Sequence, residues 1–406
     1  MNLDSSYVRS QFPVFEQAEL DGQSFFENAG GSYTARPVID RLTRYYTQRK
    51  VQPYGPYDAS RLAGEEMDEA RARMAAWMGL DTDEVSFGPS TTQNTYVLAQ
   101  AFRKWLSPGD SIIVTNQDHE ANTGPWRRLE EDGIKVREWQ IDPDTGHLNP
   151  DDLTNLLDDT VRLVCFPHCS NVVGEINPVV EITSLAHAAG AFVCVDGVSY
   201  APHGIPNVGA LGADIYLFSA YKVYGPHQGV MAIRRNLGQI LPNQAHFFNA
   251  DSLYKRFTPA GPDHAQIAAS AGMIDYFDDL AAHHGISGGP VQKGEAVHDL
   301  LRAHETKLLQ PMLDFLNSKN SIRVLGPSNA EERAPTVALA CQADPHALAE
   351  KLAERGIMAS AGDFYAVRAL QAQNVQPFPG VLRLSFVHYT EQADIDKLLT
   401  ALDDLL

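Results

Sequence analysis

Cysteine is scarce in this chain. Four residues, Cys165, Cys169, Cys194 and Cys341, are spread over 406 positions. They lie mostly in apolar stretches and lack the spacing of a metal cluster or a disulfide framework, so they are expected to be core thiols in a reducing compartment. Long apolar runs are also missing. No stretch approaches the roughly 20 residues that a helix needs to cross a bilayer, and the polar, acidic start after Met1 lacks a signal-peptide pattern. The expected location is the cytoplasm. Positive charge is in deficit, with 32 Lys and Arg against 51 Asp and Glu and a formal net charge of -19. Such a surface repels phosphate backbones and anionic lipid, which argues against nucleic-acid and membrane partners. What the chain does have is apolar content. At 44% hydrophobic it can bury a large core, in more than one domain.

Read in order, the chain first breaks at Phe26-Glu27-Asn28-Ala29-Gly30-Gly31-Ser32, where adjacent glycines let backbone approach a ligand. Residues 64–78 predict an amphipathic helix from the spacing of Met67, Ala70, Met74 and Trp77. A short strand at 85–87 then feeds the turn Gly88-Pro89-Ser90-Thr91-Thr92-Gln93-Asn94 and an apolar helix. Free N–H groups and the positive dipole end make that turn a phosphate site, with hydroxyls from Ser90, Thr91 and Thr92. Strands at 111–115, 161–166, 191–195 and 214–218 follow, with a helix before the third that Gly190 caps. Strand, helix, strand succession predicts parallel pairing with right-handed crossovers. The loop from Lys222 to the strand at 229–233 is too short for a crossover, so that pair should be antiparallel.

Thr92, His119, Asn171, Asp196 and Lys222 thus each fall just past the C-terminal end of a different strand. That edge is where open α/β sheets bind ligands. Taken singly, each has a plainer reading: a helix cap, a satisfied histidine, a surface lysine. Together they suit one cofactor, pyridoxal 5'-phosphate. The hydroxyls would take its phosphate, the imidazole its ring face and the amide its phenolate oxygen. The aspartate would keep its pyridine nitrogen protonated, and a desolvated lysine would form a Schiff base.

With those residues in place, the chain resembles the class V aminotransferases of pyridoxal-phosphate fold type I, which include cysteine desulfurases and isopenicillin N epimerase. The likeness rests on Ser170-Asn171-Val172-Val173-Gly174, Val195-Asp196-Gly197 and Phe218-Ser219-Ala220-Tyr221-Lys222, and runs over nearly the whole chain. It implies an α/β fold: a large domain over 18–275 with a mostly parallel seven-stranded sheet flanked by helices, and a smaller C-terminal α/β domain over 276–406 with residues 1–17 packed on it. It implies Lys222, Asp196 and His119 as catalytic groups, with Thr91, Thr92, Asn171 and Ser219 as further cofactor contacts. Ser199 and Tyr221 stand at cofactor positions where the family often has other residue types. Gly261-Pro262 replaces a pair that usually reaches the phosphate from a partner subunit. Arg383, in Leu382-Arg383-Leu384-Ser385, resembles the arginine that clamps a substrate α-carboxylate. Asn28 and Tyr365 are further substrate-site candidates, and no metal is implied.

Within the family, the nearest likeness is to the desulfurase-like group. Yet Gly362-Asp363-Phe364-Tyr365-Ala366 carries no cysteine where desulfurases keep their nucleophile, and a phenol cannot accept a persulfide. The resemblance implies a homodimeric enzyme that acts on an amino acid through an external aldimine and a quinonoid. Aminotransferase is the first expectation; β-lyase (carbon-sulfur cleavage) and epimerase are alternatives, and a noncatalytic cofactor-binding protein is a distant one.

Overall fold

The computed structural model describes residues 2–406. Seven strands form the main sheet: β1 (Val85–Gly88), β2 (Ser111–Thr115), β3 (Lys135–Trp139), β4 (Val161–Pro167), β5 (Phe192–Asp196), β6 (Ile215–Ser219) and β7 (Gly229–Ile233). Their order is β1-β7-β6-β5-β4-β2-β3. Only β7 runs against its neighbours, pairing antiparallel with both β6 and β1, while the other pairs are parallel. The short Lys222 connection therefore does what its length demands.

The central strands are apolar because both sheet faces are covered, while the edge strand β3 carries Lys135, Arg137 and Glu138. Val164, Phe166, Val193, Val195, Tyr216 and Phe218 enter one core. The alternate residues Leu163, Cys165, Cys194, Ile215 and Leu217 enter the other, as a period of two requires. Cys165, Cys169 and Cys194 are buried free thiols, and Cys341 is half-buried. Helices α1 (Arg36–Arg44), α2 (Asp58–Trp77) and α5 (His264–His283) cover the first face; α3 (Thr91–Trp105) covers the second with Val97, Leu98 and Phe102; α4 (Val179–Ala188) is the crossover between β4 and β5. Helix α2 begins at Asp58, a turn and a half before the expected start, because Ser60 and Ala63 already pack inward.

The C-terminal part is a four-stranded antiparallel sheet of β8 (Ile322–Val324), β9 (Thr336–Cys341), β10 (Ser360–Gly362) and β11 (Val381–Ser385), ordered β10-β11-β9-β8. Helices α7 (Pro345–Ala353) and α8 (Gln392–Leu405) share its core. The long helix α6 (Pro290–Asn317) belongs to both units. Its Val297 and Leu301 enter the first core, and its Leu309, Met312 and Leu316 enter the core of the second unit.

The N-terminal residues also bridge the two. Phe12 packs edge-on against Tyr276 at 5.2 Å, while Arg9 pairs with Asp394 at 3.0 Å. The turn after Phe25 is stitched to each side: Ser385 N–H donates to Phe26 O at 2.8 Å, and Ser32 N–H donates to Tyr221 O at 3.1 Å. One turn is thereby held between β11 and the lysine loop.

Candidate active site

The C-terminal ends of β1, β2, β4, β5 and β6 open onto one cavity. Thr91, Thr92, His119, Asn171, Asp196, Ser199, Ser219, Tyr221 and Lys222 all line it.

At one end, Ser90 caps α3 by accepting from Gln93 N–H at 3.1 Å. Thr91 Oγ1 and Ser219 Oγ lie 2.8 Å apart, which joins the helix start to the end of β6. The turn sits directly on β7. A Cβ on Gly229 would fall 2.4 Å from Ser90 C and 2.6 Å from Thr91 N. Only glycine permits that approach. Tyr221 stacks on His227 with centroids 4.8 Å apart.

Lys222 is only 7% exposed. Burial brings its ammonium down to about 8; the Arg383 charge pushes the same way, and Asp196 and Glu27 push against it. Among the described residues, no hydrogen bond or ion pair engages Nζ. Lowering the lysine from 10.5 to about 8 enriches the neutral amine at neutral pH by roughly two orders of magnitude. Asp196 is buried nearby, and its Oδ1 accepts from Val198 N–H at 2.8 Å. Burial raises its carboxyl to about 6, against the pull of that N–H and of Lys222.

His119 is held down to about 3, first by burial and then by the Lys222 and Arg383 charges. It offers a flat, uncharged ring, with Nδ1 accepting from Ala121 N–H at 3.0 Å. Asn171 donates through Nδ2 to Phe364 O at 2.9 Å, while its buried Oδ1 has no partner.

The substrate-side candidates separate. Arg383, on β11, is 3% exposed. Its Nη2 donates to Glu27 Oε1 at 2.6 Å and its Nη1 to Asn171 O at 3.4 Å. The Phe364 ring centroid is 3.7 Å from the guanidinium carbon. Tyr365 stands outside the cavity lining, with its ring 5.3 Å from that of His119 and its carbonyl accepting from Glu120 N–H at 2.8 Å. Phe364 and Tyr365 both have left-handed backbone, φ 51 and 56, a cost that non-glycine residues bear mainly at functional turns.

Asn28 is turned elsewhere. Its Nδ2 donates to Ser385 O at 3.2 Å and its Oδ1 accepts the Tyr389 hydroxyl, so it ties the turn to β11. Gly261 and Pro262 lie in a separate cleft with Tyr54 and Tyr254.

Glu27, Phe364 and Cys169 escaped the sequence reading. The Glu27–Arg383 pair spans almost the whole chain, and no local pattern marks such a contact. Cys169 lines the cavity, but burial pushes its thiol up to about 12, so it is no nucleophile at neutral pH. Among the described residues no cluster of His, Cys, Asp or Glu is arranged to hold a metal.

A buried, unpaired lysine at the C-terminal edge of an α/β sheet, between an aspartate and a hydroxyl-rich helix start, defines a site for a phosphate-bearing carbonyl cofactor. The family model for aminotransferase class V matches residues 24–249 and 295–398, and the chain belongs to that family. It is 34% identical to an aminotransferase-like protein, FGM3, of Gibberella zeae, with 98% of each chain covered. It is 31% identical to a cysteine desulfurase of Serratia proteamaculans, over 99% of this chain and 98% of that one. Among solved structures, the apo cysteine desulfurase of Thermococcus onnurineus NA1 superposes with a TM-score of 0.87 at 23% identity, covering 100% of this chain and 98% of that one.

The protein is accordingly a pyridoxal-phosphate-dependent enzyme of fold type I. Its residues fit that cofactor: the unpaired buried amine of Lys222, Asn171 with its unpaired buried amide oxygen and a helix start rich in hydroxyls all line one cavity.

Proposed function

We propose that the chain is an aminotransferase acting on an amino acid. The observation that carries this reading is the buried Lys222 amine, lowered to about 8, in a cavity whose one cysteine is inert. Lys222 would hold the cofactor through Nζ; Ser90, Thr91, Thr92 and Ser219 would hold its phosphate, Asn171 Oδ1 its ring hydroxyl, and Asp196 its ring nitrogen. Bound there, the cofactor supplies a sink for negative charge at the substrate Cα. Arg383 grips the substrate carboxylate. Lys222 Nζ, freed by the incoming amine, takes the Cα proton, since a general base needs reach and a suitable pKa. His119, being uncharged, can cover an aromatic ring face.

The cysteine desulfurase name of some relatives does not transfer to this chain. Residues 362–366 hold no cysteine, and burial raises the Cys341 thiol to about 11. A second reading, carbon-sulfur β-lyase, has Tyr365 in its favour: its ring stands 5.3 Å from that of His119, and a phenol is a general acid that would protonate a leaving group.

Purified protein with cofactor should show the visible band of the lysine-bound form. Lys222→Ala should abolish it and reduce turnover by roughly 10³-fold or more. A panel of amino acids, cysteine conjugates included, then sorts the chemistry. Keto-acid formation supports transamination, pyruvate with ammonia supports β-elimination, and loss of optical activity alone supports epimerisation.

The reading includes a division into a large unit over 18–275 and a small one over 276–406, and a homodimer. Phe247 and Phe248 are 87% and 69% exposed, near the cleft that holds Gly261 and Pro262, and an exposed aromatic patch of this kind suits a partner copy. The acidic surface and the absence, among the described residues, of any helix long and apolar enough to cross a membrane favour the cytoplasm.

A further inference from the structure

Three buried polar atoms without a hydrogen-bond partner belong to touching residues: Arg383 Nε, Glu27 Oε2 and Asn171 Oδ1. Arg383 Nη2 donates to Glu27 Oε1 at 2.6 Å, and Nη1 reaches Asn171 O at 3.4 Å. A two-point fork would have satisfied both the guanidinium and the carboxylate. The single-point pair leaves one donor on the cation and one acceptor on the anion, and both are costly to bury unpaired.

The pair is fixed in place. The Phe364 ring lies over the guanidinium at 3.7 Å, and a Cβ on Gly30 would meet Glu27 Oε1 at 2.7 Å. Glu27 also stands close to the lysine loop, because Ser32 Oγ, on the same turn, donates to Lys222 O at 2.8 Å. In the function proposed above, the ring hydroxyl of the cofactor satisfies Asn171 Oδ1. Arg383 and Glu27 are not among the residues that line the cavity, but both act by charge on Lys222, and their two open atoms are assigned to the substrate.

We propose that Glu27 is a specificity residue: Arg383 Nε takes the substrate α-carboxylate while Glu27 Oε2 takes a donor on the side chain, selecting amino acids with a cationic side chain. The proposal rests on the reading of Lys222 and Arg383 as the catalytic and carboxylate-binding groups. A side-chain carboxylate would meet the Glu27 carboxylate directly, whereas an ammonium would meet a charge of opposite sign there. In the cleft outside, Asp363 stands with Glu120 and Arg368, which lie 3.6 Å apart.

The test uses cofactor-loaded enzyme reduced with borohydride, so that no turnover occurs, titrated calorimetrically with L-ornithine, L-norvaline and L-glutamate. These differ mainly in the terminal group. Ornithine should bind roughly tenfold more tightly than norvaline, as expected of a hydrogen bond to a charged group, with glutamate weakest. Glu27→Gln retains an acceptor for Arg383 Nη2. It should bring ornithine within about threefold of norvaline, and Glu27→Asp should recover part of the preference.

Ornithine binding no tighter than norvaline in the wild type would overturn the proposal. So would an equal loss for all three ligands in Glu27→Gln, which would make Glu27 a support for Arg383 alone. Protein that takes up no cofactor would overturn the Lys222 reading and this proposal with it, an outcome visible in the absorbance before any amino acid is added.

Discussion

Lys222 owes its chemistry to burial, which disfavours the ammonium, and to Arg383, which adds a second positive charge nearby. The neutral amine is the form that attacks a carbonyl. Cofactor uptake by the cofactor-free protein should therefore speed up as pH rises through about 8 and level off above, as stopped-flow absorbance would record. Because Arg383 holds the lysine down, Arg383→Gln should move that midpoint upward, and an unmoved midpoint would deny the coupling. The same variant should raise KM for amino acids by roughly tenfold or more, through loss of a charge-assisted contact. The lysine and its aspartate were legible in the sequence because each follows a recognisable strand. Glu27 was not, since only folding brings it to Arg383.

At the scale of elements, the phosphate end depends on how closely β7 passes under the turn before α3. Gly229 has no room for a side chain. Gly229→Ala should push the Ser90–Thr91 backbone outward, at a stability cost of about 1–3 kcal/mol. Cofactor affinity should fall with it, read as the cofactor concentration that half-restores the visible band. Intact affinity would mean that the turn holds the phosphate without support from β7. The turn itself was readable from Ser90, Thr91 and Thr92, and the antiparallel β7 from the length of one loop. The mouth of the site was not, because the left-handed pair Phe364 and Tyr365 follows from tertiary contacts with Asn171 and Glu120.

For the whole molecule, the exposed aromatic pair at Phe247 and Phe248 makes oligomeric state the decisive measurement. Sedimentation should give twice the chain mass for the wild type and the single-chain mass for the double variant Phe247→Asp with Phe248→Asp. A wild-type monomer would remove the dimer from the proposed function. Helix α6 binds the two units by contributing to both cores, and the N-terminal residues clasp both through Phe12 and Arg9.

The sequence by itself determined six strands of the sheet, its reversed strand and the row of polar residues along its C-terminal edge. Those follow from hydrophobic period, strand length and loop length, which are local properties. The edge strand β3, with Lys135, Arg137 and Glu138, carries no apolar run to mark it. Only the tertiary structure decided that Asn28 is spent on Tyr389 and Ser385, that Tyr365 stands outside the cavity, and that Arg383 is already paired with Glu27. Hydrogen bonds and ion pairs between residues hundreds of positions apart depend on where the chain returns in space, and no spacing along it records that.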